Sequence, residues 1–150
     1  MGHSPQLVQC MFQDKINIEK YLTIPYVHLG RDFNGIDCYG LLKLFYQEEF
    51  NIDLPDYSYE QDWHSKGLSL IQEQYWKCFR KIEEPIKYCA VGFTTLARRG
   101  MTHIGIMLDQ LRFLHVPRNQ SVCVSKTTDR YWGKVLFGFY AVKDFRKWQN

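Results

Sequence analysis

Cys38, His103 and His115 carry the side chains of this sequence best placed to do chemistry: a thiol and two imidazoles. Cys38 follows Asp37, and from it the apolar residues Leu41, Leu42, Phe45 and Phe50 fall along one helical face, with Lys43, Gln47 and Glu48 outside. Asp37 is the natural N-cap, so Cys38 takes the first helical position. Unpaired backbone N–H groups and the helix dipole favour a thiolate there, and the thiolate is the nucleophilic form of cysteine. Gly40, without a side chain, lets another element or a substrate approach the first turn. The competing reading of Cys38 is a small buried residue on an apolar helix face.

The two histidines lie on adjacent β-prone runs, His103 to Leu108 and Leu111 to Val116, which must turn near Asp109. A two-residue loop, Asp109-Gln110, would put the imidazoles on opposite faces. A three-residue loop, Leu108-Asp109-Gln110, pairs Met107 with Leu111, Gly105 with Phe113 and His103 with His115, all sharing a face. It also gathers Ile104, Ile106, Leu114 and Val116 into a core stripe, so the odd loop is the expectation. Side by side, one imidazole can take a thiol proton while the other holds its ring in the right tautomer. A Cys-His-His zinc site is the rival for this trio, but a structural zinc site wants a fourth ligand and shorter spacings. His3, His28 and His64 read as ordinary surface or core residues.

Two kinds of element must position these groups. The chain to Tyr21 has a loose helical pattern stopped by Pro25 and Gly30; a glycine-containing loop leads to Asp37; and Leu68, Ile71, Tyr75, Phe79 and Ile82 predict a second long helix over roughly 61–83, closed by Pro85. Asn51 to Tyr59 reads as a linker within the domain. Beyond Ile86 the chain turns to strands, at 88–96, 103–108, 111–116, 121–126 and 135–142. Helices first and strands later predict an α+β domain, N-terminal helices on a C-terminal antiparallel sheet of about five strands. With 150 residues, 45% of them hydrophobic, one domain spanning 1–150 is expected.

Five cysteines without a Cys-x-x-Cys pair suit neither a disulfide framework nor a zinc ribbon, and reduced thiols made in a cytosol are the simpler reading. A net charge of +3, with Lys and Arg scattered, suits an anionic cell wall and does not point to nucleic acid. The apolar run 135–142 is far short of the roughly 18 to 20 residues of a membrane span, and no secretory signal is visible at the start, so no membrane insertion is expected.

Pro25-Tyr26, Gly30, the run Gly35-Ile36-Asp37-Cys38-Tyr39-Gly40-Leu41, and downstream Thr102-His103-Ile104-Gly105-Ile106 with Phe113-Leu114-His115 resemble the NlpC-type cell-wall cysteine peptidases, a papain-like family. The stretch from Asp37 through Pro55-Asp56-Tyr57, and the ending Tyr131-Trp132 to Gly138-Phe139-Tyr140, are similar to members encoded by tailed phages. The resemblance implies Cys38 as nucleophile, His103 as base, His115 as the orienting third group, and Tyr26 as a hydroxyl beside the nucleophile that helps the Cys38 N–H bind an oxyanion. It implies a peptidoglycan endopeptidase acting on stem peptides, at the D-γ-glutamyl-diamino acid bond, with neither metal nor organic cofactor. It further implies synthesis in the bacterial cytoplasm without a signal peptide, a place in the virion tail tip among other tail-tip proteins, and action at the host wall. A non-catalytic tail-tip component retaining the fold is the alternative. The chain departs from the family at Tyr39, where serine is frequent, at Tyr88-Cys89-Ala90, which lacks a Gly-Asp pair, and at the hairpin turn, which lacks glycine.

Overall fold

The computed structural model describes residues 16–56, 78–94 and 101–143. A short 3-10 turn, Ile18–Lys20, precedes a two-stranded ribbon of β1 (Arg31–Asp32) and β2 (Gly35–Ile36), which feeds directly into helix α1 (Cys38–Phe50). The helix starts where the sequence predicts: the Asp37 carboxylate accepts the Gly40 N–H at 2.8 Å, one of the amides a helix start leaves without a partner. It ends at Asn51, whose left-handed backbone (φ 56°) returns its N–H to the Gln47 carbonyl.

The rest is a fully antiparallel six-stranded sheet of β3 (Phe79–Ile82), β4 (Ala90–Phe93), β5 (His103–Met107), β6 (Arg112–His115), β7 (Cys123–Lys126) and β8 (Leu136–Val142), in the order β3-β8-β4-β5-β6-β7. A short helix α2 (Arg130–Val135) runs into β8. The α+β expectation therefore holds, with six strands rather than about five. The added strand is a correction. Phe79 and Ile82 belong to β3, paired with Val142 and Phe139, and not to the end of a helix reaching 83. Their spacing imitates a helical face, whereas in a strand it sends them to opposite sides. Residues 61–77 of that predicted helix, the chain before Ile16, His3 and His64 lie outside the described residues.

Each face of the sheet has its own core. On one, α1 buries Leu41, Leu42, Phe45 and Tyr46 against Ile104, Ile106, Leu114 and Val116, the stripe expected for the hairpin. On the other, Val91, Phe93, Met107 and Phe113 pack with Val135, and Trp132 lies partly buried over them. Among the described residues no helix is long and apolar enough to cross a membrane.

Candidate active site

The β5–β6 hairpin decides where the imidazoles point. Its loop has three residues, but one position further along than predicted: Leu108 N–H donates to the Arg112 carbonyl at 2.8 Å, and the Asp109 carboxylate captures the N–H groups of Leu111 (2.8 Å) and Arg112 (2.7 Å). Met107 consequently pairs with Phe113, not Leu111, and Ile106 with Leu114. A shift by an even number of residues leaves faces unchanged. His103 and His115 therefore share a face as expected, diagonally rather than directly opposite, with His103 Nε2 2.9 Å from His115 Nδ1.

Cys38 reaches this place from the helix side. The β5–β6 ladder pairs Ile106 with Leu114 and Met107 with Phe113 and stops short of Ile104, whose N–H is donated to the Cys38 sulfur, as is the N–H of Tyr39. The thiol thus lies against the backbone of the residue that follows His103, where the first turn of α1 meets the start of β5. Gly40 lets the helix start press directly on the preceding loop: a Cβ there would sit 2.0 Å from the Gly30 carbonyl oxygen. Asp37, 2% exposed, holds that loop by accepting from Leu29 N–H (2.9 Å) and Arg31 Nη1 (2.8 Å) as well as from Gly40. Arg31 in turn donates through Nε to Asp56 at 2.8 Å. Tyr39, where serine is frequent in the family the sequence resembles, gives its hydroxyl proton to the Pro55 carbonyl, tying the 55–56 segment to the helix start.

Burial dominates the electrostatics. It pushes the Cys38 thiol up to about 12, helped by the adjacent Asp37 charge and opposed by the Ile104 and Tyr39 N–H groups and by Arg31. It lowers His103 to about 4, and His115, fully buried and next to His103, to about 2. The helix start supplies the expected N–H donors, but desolvation outweighs them. Both shifts favour a neutral thiol beside a neutral imidazole over a preformed ion pair.

Tyr26 is fixed through its backbone between two segments: its N–H donates to the Gln120 carbonyl at 2.8 Å, and it bridges to Ile36, two residues before the thiol. Burial raises its hydroxyl to about 12, and the Cys38 and Asp37 charges add to this, which puts the phenol in the electrostatic neighbourhood of the sulfur. The structure pairs His103 with His115, sets the Cys38 sulfur against the Ile104 backbone and puts Tyr26 within the electrostatic reach of Cys38. It adds two that were missed. Trp132 stacks on the His103 ring (centroids 5.2 Å apart, 25° between planes) and meets His115 edge-on at 4.9 Å. Ser125 Oγ lies 2.9 Å from His115 Nε2. Tyr131-Trp132 was visible as a motif without a role, and Ser125 shares a face with Cys123 along a predicted strand; neither pattern says what the residue touches. Among the described residues no three His, Cys, Asp or Glu side chains are grouped so as to hold a metal ion.

The chain is 29% identical over 123 residues to the gamma-DL-glutamyl hydrolase of Bacillus subtilis, covering 80% of this chain and 26% of that protein. It is 28% identical over 107 residues to the murein DD-endopeptidase MepS/murein LD-carboxypeptidase of Escherichia coli, covering 70% and 48%. The chain therefore spans about a quarter and about half the length of these two relatives. Its fold resembles an NLP/P60 family lipoprotein-like structure from Staphylococcus aureus (TM-score 0.61, 23% identity, 93% of this chain and 42% of that one). It also resembles the NlpC/p60 domain of the peptidoglycan hydrolase SagA (TM-score 0.56, 19% identity, 89% and 96%). With a family model matching residues 23–141, most of the chain and every residue of the site just described, this chain belongs to the NlpC/P60 family.

Proposed function

We propose that this chain is a cysteine endopeptidase that hydrolyses amide bonds in peptidoglycan stem peptides, with Cys38 as nucleophile, His103 as base, His115 as its orienting partner and Tyr26 as an oxyanion donor. The observation that carries this reading is the thiol held by N–H groups at the first turn of α1, against the backbone next to an imidazole whose Nε2 is engaged by a second one. That bond leaves His103 Nδ1 as the nitrogen to act on the thiol.

From a neutral pair, proton transfer accompanies attack. As the sulfur bonds to the amide carbonyl carbon, its proton passes to His103 Nδ1, and the carbonyl oxygen takes up the negative charge opposite the Cys38 N–H and Tyr26 hydroxyl. Collapse breaks the C–N bond, and His103 returns the proton to the leaving amine. Water then loses a proton to the same nitrogen, attacks the thioester and regenerates the thiol. The reaction so written requires no metal or organic cofactor.

Membership of the family and the activities for which the relatives are named support the substrate class. Of the three bond types those names offer, the D-γ-glutamyl-diamino acid bond is the one we propose; the Bacillus relative's name supports it. The reading of residues 1–150 as one such domain is supported by the family match over residues 23–141. The similarity of Asp37–Gly40, Pro55-Asp56-Tyr57 and Tyr131-Trp132 to tailed-phage members supports a finer proposal, a tail-tip subunit made in the bacterial cytoplasm that opens the host wall. Digestion of purified sacculi with mass spectrometry of the released fragments tests the activity and the bond together. The wild-type chain should release fragments ending in D-glutamate and Cys38→Ala should release none; intact sacculi, with a folded wild-type chain, would favour the non-catalytic tail component.

A further inference from the structure

The relay of imidazoles has two possible proton polarities, and only one leaves His103 able to act as a base. In the productive one, His103 carries its proton on Nε2 and donates it to His115 Nδ1, 2.9 Å away. His115 must then carry its own proton on Nε2 and needs an acceptor there. In the opposite polarity His115 donates from Nδ1, His103 accepts at Nε2, and the proton on His103 Nδ1 blocks transfer from the thiol. His115 is fully buried, so a protein group must supply the acceptor.

Two groups from β7 face that nitrogen: Ser125 Oγ at 2.9 Å and Cys123 Sγ at 3.7 Å. The hydroxyl is closer and the stronger acceptor. Its own proton has somewhere else to go, because Ser125 also hydrogen-bonds the Cys123 sulfur, which leaves an oxygen lone pair for His115. The β6–β7 register sets this up, placing Cys123 opposite His115 and Ser125 on the same face two pairs along, opposite Phe113. Trp132, stacked on His103 and edge-on to His115, restrains both rings.

We propose that Ser125 is a positioning residue that sets the proton polarity of the site: its Oγ accepts the Nε2–H of His115, which fixes His115 Nδ1 as acceptor for His103 Nε2–H and leaves His103 Nδ1 for the thiol proton. The same polarity is the one an imidazolium at His103 requires, since a ring protonated on both nitrogens needs an acceptor at Nε2. Ser125 therefore acts again when His103 holds the thiol proton. This role rests on the proposed thiol mechanism.

The test uses Ser125→Ala and Ser125→Thr, with Cys38→Ala as the control. Imidazole 15N NMR at neutral pH reads the tautomers without reference to activity. Wild type and Ser125→Thr should show both histidines protonated at Nε2, and Ser125→Ala a mixture. In muropeptide hydrolysis, Ser125→Ala should lower kcat on the order of 10-fold or more with KM unchanged. The acid limb of its pH profile should move to lower pH, because His103 loses support for its protonated form, and Ser125→Thr should restore both. Wild-type tautomers in Ser125→Ala, a loss confined to KM, or an unmoved pH profile would overturn the proposal. Hydrolysis surviving in Cys38→Ala would instead overturn the thiol mechanism and leave the tautomer result standing.

Discussion

Replacing Asp37 separates what its charge does from what its oxygen does. The carboxylate is 2% exposed and receives Gly40 N–H, Leu29 N–H and Arg31 Nη1, all between 2.8 and 2.9 Å. Asparagine keeps an oxygen for the helix cap, where it serves as well as aspartate. It loses the charge-assisted bond to Arg31, worth about 1.5–3 kcal/mol, and must turn an NH2 group toward another donor. Arg31 keeps Asp56, and its side chain is 17% exposed, so the net loss for Asp37→Asn should sit at the low end, about 2 kcal/mol. Asp37→Ala also loses the cap and leaves the Leu29 and Gly40 N–H groups without this acceptor, for a total of about 4 kcal/mol, in the range for breaking a buried pair. Urea unfolding followed by circular dichroism gives the two differences from midpoints at constant slope. A second readout comes from the thiol: the Asp37 charge helps hold Cys38 up, so Asp37→Asn should bring its titration to lower pH. An alanine variant within about 0.5 kcal/mol of wild type, or one no worse than asparagine, would refute this account of the helix start.

Two pH responses follow from the same burial. Because Cys38 is pushed up to about 12, its alkylation by iodoacetamide should stay slow at neutral pH and climb only well above the ordinary thiol range; a plateau already reached below pH 7 would show a preformed thiolate–imidazolium pair. His103 and His115 bind protons more weakly folded (about 4 and about 2) than at their ordinary value of 6.5, so between roughly pH 6.5 and 4 the unfolded chain holds more protons. Stability should fall on acidification through that window, and His115→Gln should flatten the fall, as measured by the urea midpoint at pH 4.5 and 7.

Local chemistry was legible in the sequence wherever a short stretch carries its own constraint. Asp37 and the spacing of Leu41, Leu42 and Phe45 specify α1, and with it the place of Cys38. The hairpin placed both histidines on one face because only the parity of the register mattered, even though Asp109 moved the turn by one residue. The edge strand β3 was not legible: Arg80 and Lys81 break any alternation, and its partner β8 lies some sixty residues downstream. Ser125 and Trp132 were hidden for the same reason, since their contacts depend on the β6–β7 register and on where α2 lies against the sheet. Desolvation of the thiol was hidden as well, because burial is a property of the folded whole, whereas the helix start that opposes it is written locally.

The proposed reaction turns on a covalent bond to one sulfur. Acid-quenching the chain during turnover of a muropeptide, then mapping its peptides by mass spectrometry, should find a thioester on the peptide containing Cys38. The adduct should vanish in Cys38→Ala and become scarce in His103→Ala. Steady hydrolysis with no mass added at Cys38, or an unchanged adduct level without His103, would contradict it.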